Sequence, residues 1–252
     1  MKTWETIVRF FKNGKNADIR YDILRRKMDE LLYAERFHDV VKDTGWFCNS
    51  MPGLMPGGGA VGYNFLLALF VILNNARPQH ILELGMGQST KVLEHYIKAC
   101  GEIGSYHLAG EHDEDFADYC KKKYSIGQTE IIGFDLVKEE LPPGSGNYSY
   151  RYKDFKKRIE GRTFDLILVD GPFGYGDPAY SRRDILDIVP ICLEKDFSII
   201  FDDYDRRGEK DTVEKLMAVL TDSGIGFHKQ TLSGEKDICI IVSESNRFLT
   251  FF

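Results

Sequence analysis

Residues 81–90 read Ile-Leu-Glu-Leu-Gly-Met-Gly-Gln-Ser-Thr, the pattern of a short apolar strand, a glycine turn and the first turn of a helix. Gly85 and Gly87 allow the backbone to bend sharply and to approach a ligand that a Cβ would exclude. Ser89 or Thr90 can cap the helix, whose free N–H groups and dipole favour an anionic group. Together these features predict a nucleotide or cofactor site. Which cofactor it binds depends on the rest of the chain.

Outside this stretch, apolar segments of strand length alternate with helical patterns. The alternation predicts a mostly parallel sheet with helices on both faces, and the end of the chain, 226–242, predicts an antiparallel hairpin. We expect the region 138–160 to be irregular and a helix to cover roughly 181–193. The predicted parallel strands are 80–84, 105–110, 130–134, 164–169 and 197–201.

Acidic residues stand where several of these strands end. Ligands of such sheets bind beyond the carboxyl ends of the strands, in the crevice that the loops form there. Because separate segments agree on this point, it is the strongest functional indication in the sequence. The acids concerned are Glu83, Glu111, Asp170, Asp202 and Asp203.

The first 62 residues are expected to form an N-terminal helical arm and a loop, and residues 63–252 the main domain. Apolar residues at helical spacing among many charges predict an amphipathic helix, or two, within 17–42. We interpret this arm as a packing element, with a lid or a homo-oligomer contact as the alternative. The glycine- and proline-rich segment 51–62 predicts a loop. This loop either closes over the site or only connects the arm to the main domain. The apolar positions of the arm are Leu24, Met28, Leu31 and Leu32.

Charge and composition exclude several functions. The formal net charge of −6 argues against a general nucleic-acid binder and against binding to anionic membranes, because both need basic surface. The most apolar run, 65–73, is too short to span a bilayer. Five scattered cysteines without a C-x-x-C pair argue against a disulfide framework or a zinc site. This cysteine pattern makes a reducing cytoplasm the expected location. The N-terminus lacks the long apolar core of a signal peptide.

Two classes of cofactor suit the glycine turn. A dinucleotide fingerprint, G-x-G-x-x-G, would place its third glycine at position 90, where this chain has Thr90. Glu111 follows the second strand near the spacing of a ribose-binding carboxylate. It can accept hydrogen bonds from both hydroxyls of a ribose, which suits NAD and S-adenosylmethionine equally. Thr90 disfavours the dinucleotide.

The order of these features resembles the class I S-adenosylmethionine-dependent methyltransferases. The first strand–helix turn of that family has the pattern E/D-x-G-x-G-x-G/S/T, and its Rossmann-like sheet has seven strands with a final antiparallel strand. The resemblance covers about residues 63–243. It implies that the glycines line the methionine part of the cofactor, Glu83 holds its ammonium side and Glu111 binds the ribose diol. The implied cofactor-binding residues are Glu83, Gly85, Gly87, Ser89, Glu111 and, near the adenine, Asp135.

A narrower resemblance links 169–171 and 201–204 to metal-dependent O-methyltransferases of the macrocin type, which methylate sugars on macrolides. In that group, one aspartate after the fourth strand and two after the fifth hold a magnesium ion. A divalent ion lowers the pKa of an acceptor hydroxyl and orients its oxygen. The resemblance implies Asp170, Asp202 and Asp203 as metal ligands, with Asp170 and Asp203 catalytic.

The residues around these aspartates also allow a structural interpretation. The aspartates can cap the loops that follow them, and Arg206 and Arg207 lie close enough in sequence to neutralise the pair without a metal. His112 could act as a general base, but it is more simply an exposed residue at a helix start. Loop 173–178 is the expected acceptor wall, and we expect Arg182 and Arg183 to be solvated.

The sequence therefore predicts an enzyme that transfers a methyl group from S-adenosylmethionine to a hydroxyl of a small molecule or saccharide. Magnesium is a candidate cofactor. An NAD-linked oxidoreductase is the second hypothesis. A non-catalytic Rossmann-like module is the third, although a pure binder would have no need of acids at the strand ends.

Overall fold

The computed structural model describes residues 2–47, 53–174 and 179–250, with side chains from residue 18 onward. The helices are α1 (Lys2–Lys42), α2 (Tyr63–Asn75), α3 (Gln88–Cys100), α4 (Glu114–Tyr124), α5 (Phe155–Arg158) and α6 (Arg207–Asp222). The strands are β1 (His80–Leu84), β2 (Tyr106–Glu111), β3 (Glu130–Gly133), β4 (Leu136–Glu140), β5 (Tyr148–Tyr152), β6 (Phe164–Val169), β7 (Leu193–Phe201), β8 (Phe227–Ser233) and β9 (Asp237–Ser243). Two 3-10 helices cover Arg183–Asp187 and Glu244–Thr250.

Seven strands form one sheet in the order β3-β2-β1-β6-β7-β9-β8. The first five strands in that order pair in parallel, whereas β9 pairs antiparallel with both β7 and β8. The order reverses between β1 and β6, which is where ligands bind in open sheets of this kind. The predicted Rossmann-like fold with a closing hairpin is confirmed.

Helices cover both faces of the sheet. The core on one face is built by α2 and α3 and includes Phe65 and Phe70, both fully buried. The core on the other face includes Val213 and Leu216 of α6 together with Phe155 of α5. Burial of this much apolar surface is the main stabilising contribution to the fold. None of the helices in the described part of the chain could cross a membrane.

Two local expectations were wrong. The region 138–160 is ordered, because β4 and β5 pair as a separate antiparallel sheet before α5. Tyr148, Tyr150 and Tyr152 alternate with other residues there, a period of two that is typical of a strand. The helix expected over 181–193 is only a short 3-10 turn, since Pro190 lacks an N–H group and disfavours a helical residue before it.

The N-terminal arm is one helix, α1, and it packs with the face that the sequence did not single out. Phe37 is buried against α2, with Tyr33 and Val40 half-buried beside it. The four predicted packing residues are all exposed, so the expectation that they pack within the chain was wrong. They are Leu24, Met28, Leu31 and Leu32. The division of the chain at residue 62 stays a prediction.

Candidate active site

A cleft lies over the carboxyl ends of the parallel strands and consists of two adjoining cavities. The first, of about 430 Å³, extends from the end of β2 to the ends of β6 and β7. The second, of about 320 Å³, lies over the glycine turn. Met86, Phe116 and Asp170 line both. Their volumes are in the range of small-molecule sites. A cavity of about 510 Å³ beside β4 and β5 lies away from the strand-end acids.

The glycine turn between β1 and α3 forms part of the floor of this cleft. Gly85 has φ +89°, and a Cβ there would come within 2.8 Å of the Gly171 backbone nitrogen. Both the dihedral angle and the close approach therefore require glycine. The Gly87 N–H donates to Thr90 Oγ1 at 2.8 Å, and Thr90 is fully buried. Thr90 thus satisfies an N–H group that a dinucleotide fingerprint would leave for phosphate.

Glu111, at the end of β2, lies in the first cavity and is almost fully buried. Its carboxylate accepts hydrogen bonds from the backbone N–H groups of Met86, His112 and Asp113 at 2.7–3.0 Å. The His112 Nδ1 atom lies 2.8 Å from the same carboxylate. Burial alone would raise the pKa of Glu111, but these hydrogen bonds outweigh it and lower the pKa. Glu111 is therefore a fixed anion at the cleft.

The structure places two of the six predicted cofactor residues outside the cleft. Asp135 is largely exposed, and its nearest cation is Lys153 Nζ at 3.4 Å. Glu83 is fully buried, with Oε2 at 3.2 Å from His107 Nε2. The others, Gly85, Gly87, Ser89 and Glu111, all line one of the two cavities. The roles of all six stay predictions, and the geometry supports only these four.

Glu83 belongs instead to a buried polar chain that sequence reasoning missed. Thr129 Oγ1 donates to Glu94 at 2.8 Å, so it can only accept from His107 Nδ1, also at 2.8 Å. His107 Nε2 in turn lies 3.2 Å from Glu83 Oε2, and both residues are buried. Glu83 thus joins β1 to β2.

The three predicted aspartates converge beside the turn. Ligand oxygens of Asp170, Asp202 and Asp203, which we call the acid cluster, all lie within 4.8 Å of one another. Asp202 and Asp203 are buried, whereas a quarter of the Asp170 side chain is exposed to the cleft. The predicted convergence at neighbouring strand ends is confirmed.

Lysine and arginine side chains form ion pairs with the acid cluster. Lys236 Nζ lies 2.9 Å from Asp202 Oδ2 and 3.2 Å from Asp203 Oδ1. Arg182 Nη2 lies 2.6 Å from Asp203 and 3.2 Å from Asp170. Arg206 Nη1 lies 2.9 Å from Asp203. These ion pairs show that the acid cluster is internally neutralised to a large extent.

The expectation that Arg182 and Arg183 are solvated was wrong. Arg182 is only 3% exposed and also donates to the Asp202 backbone carbonyl at 2.9 Å. Arg183 pairs with Glu139 of β4. Arg182 thus contacts the acids at the strand ends, and Arg183 contacts β4. A basic pair in a loop gives no local signal of this.

The neighbouring lysine and arginine side chains give the aspartates different pKa values. Burial and the nearby charge of Asp202 raise the pKa of Asp170 to about 8, despite Arg182. Burial would raise the pKa of Asp203 as well, but Arg182, Lys236 and Arg206 outweigh it and lower the pKa. Burial raises the pKa of Asp202 too, but that side chain is fully buried. Asp170 is therefore the residue of the cluster that can exchange a proton with a group in the cleft near neutral pH.

A divalent ion does not fit the acid cluster as the side chains stand. Both oxygens of Asp203 and one of Asp202 already bind Lys236 or an arginine. Asp202 Oδ1 has no hydrogen-bond partner and is buried, so one free oxygen there and those of Asp170 remain. Magnesium requires near-octahedral oxygen ligands, and a buried ammonium group between two of them would repel it.

No family model matches this chain, and no curated protein sequence matches it. Among solved structures, the O-methyltransferase from Bacillus cereus in complex with SAH is similar over 88% of this chain and 100% of its own, with TM-score 0.52 and 14% identity. The O-methyltransferase TomG from Streptomyces achromogenes, involved in tomaymycin synthesis and solved with SAM, is similar over 87% and 97%, with TM-score 0.50 and 12% identity. Such identities show the fold alone. The chain has the fold of the class I methyltransferases.

Proposed function

We propose that this protein transfers the methyl group of S-adenosylmethionine to a hydroxyl of a small, sugar-containing acceptor. The observation that carries the proposal is the position of Asp170. This partly exposed carboxylate, with its raised pKa, lies on the wall shared by the two cavities. A group that accepts a proton near neutral pH thus adjoins a cavity with a glycine turn and a ribose-type carboxylate.

Four residues would hold the donor. Gly85, packed against the Gly171 backbone, forms the floor for the methionine part. Gly87, whose Cβ position is open, and Ser89 line the adjoining wall. Glu111 is a fixed anion whose oxygens accept from the two ribose hydroxyls. S-adenosylmethionine supplies an electrophilic methyl group on a positively charged sulfur.

Asp170 would act as the general base toward the acceptor. The acceptor oxygen forms the new bond to carbon, the electrons of the sulfur–carbon bond return to sulfur, and Asp170 takes the hydroxyl proton. Asp203 would act indirectly, because its carboxylate holds Arg182 and Lys236 against the cluster. Alignment of the nucleophile with the methyl carbon and sulfur would contribute much of the acceleration.

Lys236 and Arg182 would supply the positive charge for which magnesium was considered. Their nitrogens already contact all three aspartates. We therefore expect methyl transfer without a divalent ion, and a chelator tests this directly. Activity lost with the chelator and restored by magnesium would instead support the metal-assisted form of the reaction.

The sugar-containing acceptor rests on the composition of the first cavity. The rings of Phe116, Phe173 and His112 line this cavity together with the charged groups of Arg206 and Lys236. A lining that combines aromatic and polar groups suits a ring with hydroxyl substituents. Of the expected acceptor wall, only residues 173 and 174 lie within the described part of the chain, and 175–178 lie outside it.

Calorimetric titration with S-adenosylhomocysteine and with NAD tests the proposal, each with and without magnesium. We expect S-adenosylhomocysteine to bind, NAD to fail, and magnesium to make no difference. Binding of NAD alone would establish the oxidoreductase hypothesis. Binding of neither would favour the non-catalytic module.

A further inference from the structure

The outer face of α1 is apolar and has no partner within the described chain. We define it by Tyr21, Leu24, Met28, Leu31 and Leu32, whose exposed fractions lie between 53% and 71%. Four of these residues follow one another in steps of three and four, the spacing of a helix–helix seam. Five large apolar side chains on one helical face are more than the scattered apolar residues of an ordinary surface.

This face cannot turn inward, because α1 is fixed on its opposite side. Arg26 binds Asp237 at 2.7 Å and the Gly234 carbonyl at 3.3 Å. Glu30 accepts from the Tyr63 backbone N–H at 2.5 Å, and Phe37 is buried against α2. These contacts leave the outer face directed at solvent.

We propose that the outer face of α1 binds the same face of a second copy in antiparallel orientation, so that the protein is a homodimer. This inference does not depend on the proposed function. A twofold axis makes such an interface self-complementary, since each patch meets its own copy. With Met28 near the axis, Leu24 of one copy lies level with Leu31 and Leu32 of the other.

The charges beside the outer face match this arrangement. Asp18, Arg25, Asp29 and Arg36 follow one flank of the face with alternating sign. In an antiparallel pair each flank meets the same flank of the other helix. A twofold axis between Lys27 and Met28 brings Asp18 within one residue of the level of Arg36, and Arg25 within one residue of the level of Asp29. Each of these pairs occurs twice in the dimer, and all have opposite charge.

A parallel pair would be less favourable. The same seam in parallel register places Arg20 of one helix beside Arg25 of the other, a repulsive contact that occurs twice. On the other flank of the antiparallel pair, Lys27 lies near Lys27 of the second copy, one like-charge contact against the four opposite-charge contacts of the first flank. Charge complementarity therefore still favours the antiparallel dimer.

Sedimentation equilibrium on the full chain is the first test, with the double variant Leu24→Glu, Met28→Glu. We expect the native chain to be a dimer, and the variant to have a dissociation constant at least roughly 100-fold higher, because carboxylates would be buried at the seam. Unchanged circular dichroism would show that the variant is folded. Ile103→Glu, on an exposed turn, is the matched control and should leave the dimer intact.

A charge exchange and a cross-link test the orientation. Asp18→Arg and Arg36→Asp should each weaken the dimer several-fold, and the double variant should restore it. Met28→Cys should form a disulfide between copies under mild oxidation, beyond any background of the native chain, whereas Leu24→Cys should not. A native monomer, or a dimer unaffected by the glutamates, would overturn the proposal. Cross-linking through Leu24→Cys would overturn its antiparallel form.

Discussion

The two sides of the cleft are built by different means. On the side that we propose binds the methyl donor, called the donor side below, Gly85 and Glu111 act through backbone geometry and backbone N–H groups. Apart from the Gly171 backbone against Gly85, these groups belong to one strand–turn–helix unit and the next strand. In the acid cluster, the aspartates are held by side-chain cations from a loop and a hairpin turn. The donor side is therefore a local construction, whereas the acid cluster depends on the whole fold.

Removal of Arg182 should break the acid cluster and have the largest effect. Arg182→Met leaves Asp203 without its closest partner in a buried site, so we expect the free energy of unfolding to fall by about 3–5 kcal/mol. Urea denaturation measures this change. Arg183→Met, at the neighbouring and more exposed position, should cost less than about 1 kcal/mol. Equal losses would show that the cluster does not depend on Arg182.

Asp170→Asn separates catalysis from donor binding. We expect the rate of methyl transfer to fall at least about 100-fold, since the amide cannot take the acceptor proton. The affinity for S-adenosylhomocysteine should change little.

The pH dependence of the native enzyme provides a second measurement on the same residue. A base must be ionised to act, and the pKa of Asp170 is raised to about 8. The rate should therefore rise with pH and level off above that value. A rate independent of pH between 6 and 9 would exclude Asp170 as the base.

The substitution Glu111→Gln should impair the binding of the methyl donor without affecting the acid cluster. Loss of the fixed anion should weaken the binding of S-adenosylhomocysteine roughly 30-fold, which corresponds to about 2 kcal/mol. Calorimetry measures this affinity. Glu83→Gln is the matched control, because Glu83 faces His107 and lies outside the cavities. Glu83→Gln should lower the free energy of unfolding and leave the affinity for S-adenosylhomocysteine unchanged. A weaker affinity with unchanged stability would instead support a cofactor-binding role for Glu83.

The smallest effect concerns the turn itself. Thr90→Val removes the hydroxyl that accepts from the Gly87 N–H, and we expect a loss of stability of about 1 kcal/mol. Thermal unfolding measures it, and Thr90→Ser, which keeps the hydroxyl, should lose less. No difference between the two would mean that water satisfies the Gly87 N–H equally well.

This contrast also explains what the sequence could predict. The glycine turn, the strand-end acids and the closing hairpin are local patterns in the sequence. The structure places each of them where the sequence predicted it. Lys236 and Arg182 reach the acid cluster only through tertiary folding, so no spacing could indicate them. The contact of Glu83 with His107 could not be predicted for another reason: an acid in that motif looks the same in sequence whether it faces a ligand or His107.

The strand order has a consequence for the timing of synthesis. β8 leaves the ribosome before β9 but pairs in the sheet only with β9, and Lys236 lies in the turn between them. The donor side can form once β6 has been made, whereas the acid cluster gains Lys236 only after β9 has emerged and paired with β7. On the proposed function, a nascent chain could thus bind the donor before it could use it.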